Sequence, residues 1–326
     1  MAKVRLADIA KVAGVSAVTV HNAITGQKGV SDEMRARILE IAKEMGYRQP
    51  GSGSLRCIGV VIPERYLAEY TTFYWKMYQE MALAATEKSC MVTVEILKQE
   101  MEDEMIVPCI AKEQTVDALI LMGDTSRDYI HYLKKNVDLP IIFLDFYDNE
   151  LAKDAVIADN FHGMYLMTEY LYEHGLTKLA FVGSIHFSSS IMDRYCGFSK
   201  AVLEHRDVTP AEWILEDRDE RGQIEIHLPE QMPEAFVCNC DLTAGLLMLE
   251  LEKRGISVPE DVSVVGFDNY LYPGFPDLKI TSYEINTKAM VKVALEKALK
   301  QIRGAASGKN MEIVSGQLVP KESVKL

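Results

Sequence analysis

Beyond about residue 57 the chain alternates short apolar runs with amphipathic stretches, and this alternation restricts its fold more than any other feature. Apolar runs of this length, each followed by a segment of helical periodicity, are typical of parallel strands connected by helices. The predicted strands are residues 58–62, 91–97, 118–122, 141–144, 179–182, 235–238 and 262–267, and the helical runs include 161–174 and 243–253. Two consecutive sets of such units predict an α/β body of two doubly wound lobes, each with a parallel sheet.

The first 50 residues show a different pattern, with three short segments of helical periodicity. Four apolar residues have the spacing of one helix face: Leu6, Ile9, Ala10 and Ala13. Gly14 can adopt the positive φ of a helix end. Ser16 is placed to cap a second helix over residues 17–24, and Ser31 to cap a third. Two short helices joined by a tight Gly-Val-Ser turn, with a third helix as support, predict a helix-turn-helix.

The segment between head and body has the composition of a linker. Residues 48–54 read Arg-Gln-Pro-Gly-Ser-Gly-Ser, and such sequences are flexible. We therefore predict a helix-turn-helix head over residues 1–50, a short linker over 51–56 and a two-lobed body over 57–326. Lobe 1 is predicted to comprise about 57–157 and 286–316, and lobe 2 about 158–285 and 317–326.

Charge is distributed unevenly along the chain. The net charge is −13, yet residues 1–50 hold eight Lys and Arg against five Asp and Glu. Residues 51–326 hold 27 Lys and Arg against 43 Asp and Glu. A small basic head on an acidic body is typical of a module that binds a polyanion and is attached to a domain that does not.

Several features argue against other classes of protein. No stretch approaches the roughly 20 apolar residues of a membrane span, and the start, MAKVRLADIA, lacks a secretory core, so we expect a cytoplasmic protein. The cysteines form neither a disulfide framework nor a metal-ligand pattern; they are Cys57, Cys90, Cys109, Cys196, Cys238 and Cys240. Cys238 and Cys240 are interpreted as buried strand cysteines. Because nucleophile, phosphate-loop and metal-helix motifs are not found, we expect no enzymatic activity, cofactor or metal.

Motifs in both parts of the chain resemble those of one protein family. In the head they are D-I-A-K-V-A-G-V-S-x-x-T-V at 8–20, V-S at 30–31 and G-Y at 46–47. In the body they are V-I-A-D at 156–159, R-Y-C-G-F at 194–198, V-P-E-D-V-S-V-V-G-F-D-N at 258–269 and L-V-P-K-E-S at 318–323. The chain is similar over nearly its whole length to the lactose/galactose repressor (LacI-type) family of bacterial regulators. This resemblance implies a periplasmic-binding-protein-like body that senses a small effector.

The resemblance also implies that the second helix of the head enters the DNA major groove. The residues expected to contact DNA are Ser16, Ala17, Val18, Thr19, His21, Asn22 and Ser31. Ala17 and Val18 offer only apolar contacts, such as contact with the thymine methyl group, whereas the Asn22 amide can pair with an adenine edge. Most family members carry a hinge helix after the head, but Gly51 and Gly53 disfavour one here. We therefore expect weaker sequence discrimination than in relatives.

The effector site is expected beyond the carboxyl ends of the strands, in the crevice between the lobes. The expected effector-binding residues are Phe73, Tyr74, Asp145, Phe146, Arg194, Asp241 and Asp268. Aromatic faces, carboxylates and a guanidinium suit a sugar or sugar derivative. Because many family members have an asparagine at the position of Cys240, the ligand need not be a familiar hexose.

Alternative interpretations of these residues remain open. Phe73 and Tyr74 can be core aromatics, Asp145 can cap the following turn, and Arg194 and Asp268 can pair only with each other. For the whole chain we predict a metabolite-responsive repressor that binds operator DNA as a homodimer. The alternatives are a solute-binding protein of the same body fold, which is expected to carry a signal peptide and no basic head, and a regulator that no longer responds to an effector.

Overall fold

A computed structural model of the chain describes residues 4, 6–25, 27, 29–45, 56–67, 73–148, 150, 154–219, 222–273, 276–306 and 311–325. The chain divides into two compact units, Met1–Ser54 and Leu55–Leu326, which we call the head and the body. The predicted linker over residues 51–56 lies outside the described residues, except for Arg56. The G-Y motif at 46–47 also lies outside them.

The head contains the predicted helix-turn-helix. Its helices are α1 (Leu6–Ala13), α2 (Ala17–Thr25) and α3 (Asp32–Glu44). The Ser16 hydroxyl accepts from the Thr19 amide at 3.1 Å and the Ser31 hydroxyl from the Met34 amide at 3.3 Å, so both predicted caps are present. The helices enclose a small apolar core of Ile9, Ala10, Ala13, Val20, Ala23, Ile38 and Ala42.

The body contains two sheets of six strands each, as the sequence pattern predicts for two lobes. The strands are β1 (Arg56–Pro63), β2 (Cys90–Leu97), β3 (Ala118–Met122), β4 (Ile141–Leu144), β5 (Ala155–Ala158), β6 (Leu179–Val182), β7 (Ile214–Leu215), β8 (Ala235–Cys238), β9 (Ser263–Asp268), β10 (Thr281–Glu284), β11 (Glu312–Val314) and β12 (Gln317–Val319). The sheet of lobe 1 has the order β11-β5-β4-β3-β1-β2, and that of lobe 2 the order β12-β10-β9-β8-β6-β7. All pairs are parallel except β10 with β12.

Helices cover both sheets. They are α4 (Phe73–Glu87), α5 (Gln99–Asp103), α6 (Cys109–Lys112), α7 (Arg127–Asn136), α8 (Asn160–Glu173), α9 (Ser189–Glu204), α10 (Asp241–Lys253) and α11 (Thr287–Ile302). Helices α8 and α9 can approach closely because Gly197 has no side chain. A Cβ atom at this position would overlap the carbonyl oxygen of Phe161. Since the central strands are covered on both sides, their residues are almost all buried, as in other parallel sheets.

The chain passes repeatedly between the lobes. It leaves lobe 1 after β5, returns after β10 to form α11 and β11, and crosses again before β12. Each crossing takes only a few residues, so the lobes are joined by short parallel connections. Among the described residues, no helix is long and apolar enough to cross a membrane.

Candidate ligand-binding cleft and DNA-binding helix

A cavity lies between the two lobes, at the carboxyl ends of the parallel strands. Its volume is about 100 Å³, which is room for several water molecules at about 10–15 Å³ each. Lobe 1 contributes Tyr66, Phe73, Tyr74, Asp124 and Asp145. Lobe 2 contributes Phe187, Ser188, Ser190, Ile191, Arg194, Arg218, Asn239, Cys240, Leu242, Asp268 and Tyr272. The cavity therefore has the size of a small polar ligand.

The lobe 1 wall combines tyrosine rings with carboxylates. Tyr74, in the first turn of α4, donates its hydroxyl to Asp145 Oδ2 at 2.8 Å. Tyr66 packs against Tyr74 with 5.0 Å between the ring centroids. Asp145 directly follows β4, has φ 69° and is only 7% exposed, and its Oδ1 atom has no hydrogen-bond partner among the described residues. Burial raises the pKa of Asp145, while Arg194 and Tyr74 act in the opposite direction.

Asp124 is the second carboxylate of this wall and follows β3. Burial raises its pKa above the ordinary range, although the Ser189 backbone amide stabilises its charged form. The charge of Asp124 also contributes to the raised pKa of Asp145. The two carboxylates therefore repel each other in a largely desolvated place.

The lobe 2 wall is organised around Arg194 on α9. Its Nε donates to Asn160 Oδ1 at 2.9 Å and one terminal nitrogen to the Asn239 carbonyl oxygen at 2.7 Å. The other terminal nitrogen lies 3.5 Å from Asp268 Oδ1. The guanidinium also lies over the Phe267 ring, 4.0 Å from its centroid. Burial raises the pKa of Asp268 to about 7, although Arg194 opposes the shift. Arg194 is thus fixed in orientation before any ligand binds.

A second guanidinium, Arg218, is held by the neighbouring Asp217. The Arg218 terminal nitrogen lies 2.5 Å from Asp217 Oδ2, and its guanidinium lies over the Phe187 ring. Asp217 is fully buried and also accepts from the Ser184 amide, the Asn239 side-chain amide and the Thr243 hydroxyl. Burial acts to raise the pKa of Asp217, but Arg218 and these hydrogen bonds outweigh it and lower the pKa. The Asp217–Arg218 charge pair is thus internally satisfied.

Direct hydrogen bonds join the lobes beside the cavity. The Ser189 amide donates to Asp124 Oδ2 at 3.0 Å, and the Ser190 hydroxyl to the Asp145 carbonyl oxygen at 3.1 Å. The Tyr147 hydroxyl donates to Asp193 Oδ1 at 3.2 Å. The start of α9 therefore contacts the strand ends of lobe 1 directly.

Five of the seven effector-binding residues expected from the sequence line the cavity: Phe73, Tyr74, Asp145, Arg194 and Asp268. The expectation for Phe146 is corrected, because its ring is fully buried against Phe143 in the lobe 1 core. Asp241 also lies behind the wall, where its carboxylate accepts from the Ser282 hydroxyl and the Tyr270 amide. Burial, together with the charge of Asp268, raises the pKa of Asp241 to about 8.

Sequence reasoning did not identify Tyr66, Asp124, Arg218 or the serines Ser188 and Ser190, all of which line the cavity. Tyr66, Asp124 and Arg218 lie two or three residues after the ends of β1, β3 and β7, so a search slightly beyond each strand end would have included them. Cys240 lines the cavity and Cys238 is buried in β8. Within the described part of the chain, His, Cys, Asp and Glu form no group of three suited to a metal ion.

The residues expected to contact DNA lie on α2 and at two helix caps of the head. Ser16, Ala17, Val18, His21 and Ser31 are exposed, while Thr19 and Asn22 are half-buried. Val18 is 68% exposed, so its side chain is free to contact an apolar base edge. Arg35 of α3 donates to the Asn22 and Ala23 carbonyl oxygens at 3.2 and 2.8 Å. It thereby fixes the carboxyl end of α2.

Comparisons with known proteins agree with this architecture. Residues 5–49 match the family described as "Bacterial regulatory proteins, lacI family", and residues 168–324 match the "Periplasmic binding protein-like domain". The HTH-type transcriptional repressor PurR of Aliivibrio salmonicida (strain LFI1238) is 24% identical over 329 residues, covering 97% of this chain and 98% of that protein.

Solved structures show the same fold. The transcriptional regulator CelR in complex with cellobiose gives a TM-score of 0.70 at 20% identity, covering 98% of this chain and 100% of CelR. The lac repressor dimer bound to operator and the anti-inducer ONPF gives 0.67 at 19% identity, covering 99% of each chain.

The fold and the site define a class of protein in which a helix-turn-helix head is joined to a two-lobed, ligand-binding body of the periplasmic-binding-protein type. The chain belongs to the lacI family of bacterial regulatory proteins, and it is a DNA-binding regulator.

Proposed function

We propose that the protein is a repressor that binds operator DNA as a homodimer and responds to a sugar or sugar derivative bound between its lobes. The observation that carries the proposal is the cavity at the strand ends, with aromatic rings and the unpartnered Asp145 Oδ1 in its walls. Carboxylate oxygens accept hydrogen bonds from hydroxyl groups, and aromatic faces pack on the C–H faces of a sugar ring.

Relatives support the repressor and sugar parts of the proposal. The relative from Aliivibrio salmonicida is named a transcriptional repressor, and the structurally similar CelR was solved with cellobiose. The lac repressor was solved as a dimer on its operator. A dimer is also expected on physical grounds, since one helix-turn-helix contacts few base pairs and paired heads read a two-fold symmetric site.

On DNA, α2 provides few base-reading groups. Ala17 and Val18 contact apolar base edges, and Asn22 is the residue of the expected set that can form paired hydrogen bonds with an adenine edge. Ser16, Thr19, His21 and Ser31 are suited to phosphate contacts, which set the register without reading sequence. We therefore expect strong base selection at only a few positions of each half-site.

Selection of bound sequences from random duplex DNA with the full-length protein tests the DNA-binding part. We expect a two-fold symmetric consensus, and Asn22→Ala should weaken binding to it about 10- to 100-fold. Glu40→Ala, at an exposed position of α3, is the matched control and should bind as the wild type does. Failure to enrich any sequence would contradict the proposal, and strong selection at many positions would contradict the expected low discrimination.

The effector part is tested with the selected operator and a panel of monosaccharides, disaccharides and their derivatives. One compound should change the operator affinity of the full-length protein, because ligand binding between the lobes changes their relative angle. The effect should be lost in Asp145→Ala and retained in Asp128→Asn, which changes an exposed carboxylate of α7 outside the cavity. An active compound whose effect survives Asp145→Ala would place the effector elsewhere.

A further inference from the structure

The charges that line the cavity do not balance. Its walls hold the carboxylates of Asp124, Asp145 and Asp268 and the guanidiniums of Arg194 and Arg218. Arg194 is paired with Asp268, and Arg218 with Asp217 behind the wall. The two lobe 1 carboxylates, Asp124 and Asp145, form no ion pair with any cation among the described residues.

Nearby cations act on the carboxylates of the cavity. Lys76 of α4 acts on Asp268 and lies over the Tyr270 ring, 5.4 Å from its centroid. Arg65, whose charge acts on Asp124, is ion-paired with Glu102 at 2.7 Å. Arg194, whose charge acts on Asp145, uses its nitrogens for Asn160, Asn239 and Asp268. Asp124 and Asp145 therefore feel nearby cations but have no direct ion-pair partner among the described residues, which leaves the lobe 1 side of the cavity with excess negative charge.

Unsatisfied polar atoms lie at the same place. Asp145 Oδ1 is buried without a partner among the described residues, and so is the hydroxyl oxygen of Thr125, which follows Asp124 in the sequence. Buried polar groups are nearly always hydrogen-bonded, so a group of unsatisfied atoms marks a place suited to a ligand. Oδ1 of an ionised carboxylate can only accept, so it requires a donor.

The aromatic rings of this wall favour a cationic donor over a neutral one. Tyr66, Phe73 and Tyr74 surround the carboxylate side, with Tyr66 and Phe73 each packed against Tyr74. A desolvated ammonium group is attracted both to a carboxylate and to the faces of aromatic rings. A neutral hydroxyl would satisfy the hydrogen bond but would leave the excess negative charge in place.

We propose that the effector is a monosaccharide-sized amino sugar whose protonated amino group binds between Asp145 and Asp124 of lobe 1, while lobe 2 binds the hydroxyl groups. This inference rests on the proposed function and adds the charge of the ligand to it. The amino group would donate to Asp145 Oδ1 and neutralise the pair of carboxylates. Serines at the start of α9 lie close enough to contact the same ligand, since they already bond to Asp124 and Asp145.

The test compares matched ligands on full-length protein by isothermal titration calorimetry at pH 7. The probes are D-glucosamine, D-galactosamine and D-mannosamine, each measured beside its parent hexose and its N-acetyl derivative. We expect one amino sugar to bind about 10- to 100-fold more tightly than both neutral partners, as charge-assisted hydrogen bonds are stronger than neutral ones. Asp145→Asn and Asp124→Asn should each reduce this ratio towards one, and Asp128→Asn should not change it.

The ratio of affinities separates loss of charge recognition from loss of folding, because a misfolded variant would bind neither partner. Equal binding of an amino sugar and its parent hexose would overturn the inference and leave the proposed sugar-responsive function intact. Absence of binding by every amino sugar at millimolar concentration would also overturn it, and the wider sugar panel then decides the proposed function independently. A preference that survives both Asp145→Asn and Asp124→Asn would likewise overturn it.

Discussion

The two walls of the cleft use the same kinds of charged residue in different states. In the lobe 2 wall each guanidinium lies against a carboxylate, as Arg194 does with Asp268 and Arg218 with Asp217. In the lobe 1 wall Asp124 and Asp145 face tyrosine rings and backbone or hydroxyl donors. Both guanidiniums of the lobe 2 wall are therefore already ion-paired, whereas the lobe 1 carboxylates have no ion-pair partner among the described residues.

The largest expected effect comes from breaking the lobe 2 network. Arg194→Ala should lower the free energy of unfolding by about 3–5 kcal/mol, because it leaves Asp268 buried without its partner. Sugar binding should be lost as well. Urea denaturation followed by circular dichroism measures the change, with Arg254→Ala, at an exposed position of lobe 2, as control. A loss below about 1 kcal/mol would show that the network is not needed for folding.

Asp217 should show the next largest effect and a characteristic dependence on pH. Its folded-state pKa lies below the ordinary value of 3.8, so its contribution to stability is present above about pH 4 and is lost as the pH falls. Asp217→Asn should lower the free energy of unfolding at pH 7 by about 2–3 kcal/mol and weaken the acid sensitivity. Denaturation curves from pH 3 to 7 test this, with exposed Glu252→Gln as control. If the free energy of unfolding of Asp217→Asn depended on pH as that of the wild type does, Asp217 would not be the source of the acid sensitivity.

Asp145 should behave in the opposite way. Its folded-state pKa lies above 3.8, so stability falls as the pH rises from about 4 through the folded-state pKa. Asp145→Asn should therefore raise the free energy of unfolding of the ligand-free protein at pH 7 by about 1 kcal/mol, since Tyr74 can still donate to the amide oxygen. The same denaturation series measures it. Destabilisation comparable to that of Asp217→Asn would remove the contrast between the two walls.

The smallest expected effect concerns the hydrogen bonds between the lobes. Tyr147→Phe removes the bond to Asp193 and should lower the free energy of unfolding by about 0.5–1 kcal/mol. Ligand affinity should fall about two- to fivefold, because the arrangement in which the two lobes are hydrogen-bonded to each other beside the cavity becomes less populated. Calorimetry with a sugar that binds the wild type measures this, and Tyr132→Phe, on α7 away from the cavity, serves as control. Equal effects of Tyr147→Phe and Tyr132→Phe on ligand affinity would show that the Tyr147–Asp193 hydrogen bond does not help to hold the two lobes together around the ligand.

Predictions from the sequence were most accurate where the signal is local. The periodicity of the head located α1, α2 and α3 and both serine caps, and the apolar runs located the central strands of both sheets. The short strands β5, β7, β10, β11 and β12 were not predicted from the apolar runs. Their residues are few, and β10, with the sequence Thr-Ser-Tyr-Glu, is stabilised by pairing with two neighbours rather than by its own apolar pattern.

The predicted set of effector-binding residues was wrong mainly where the direction of a side chain had to be known. Asp145 and Phe146 are adjacent, yet the first lines the cavity and the second fills the core. A shift of one residue at a strand end reverses which face a side chain occupies, and sequence position alone does not resolve it. Arg218 was missed because it follows β7, a strand of two residues without a recognisable pattern.

The sequence by itself determined the class of protein, since periodicity, glycine and serine positions, and strand-end motifs are local properties of the chain. Only the tertiary structure decided which charges in the cleft are paired. Asp217 and Asn239 lie 22 positions apart, and Asp145 and Arg194 lie in different lobes, so their relationship depends on the order of the strands in two sheets. Burial then sets the free energy of each charge, and burial exists only in the folded chain.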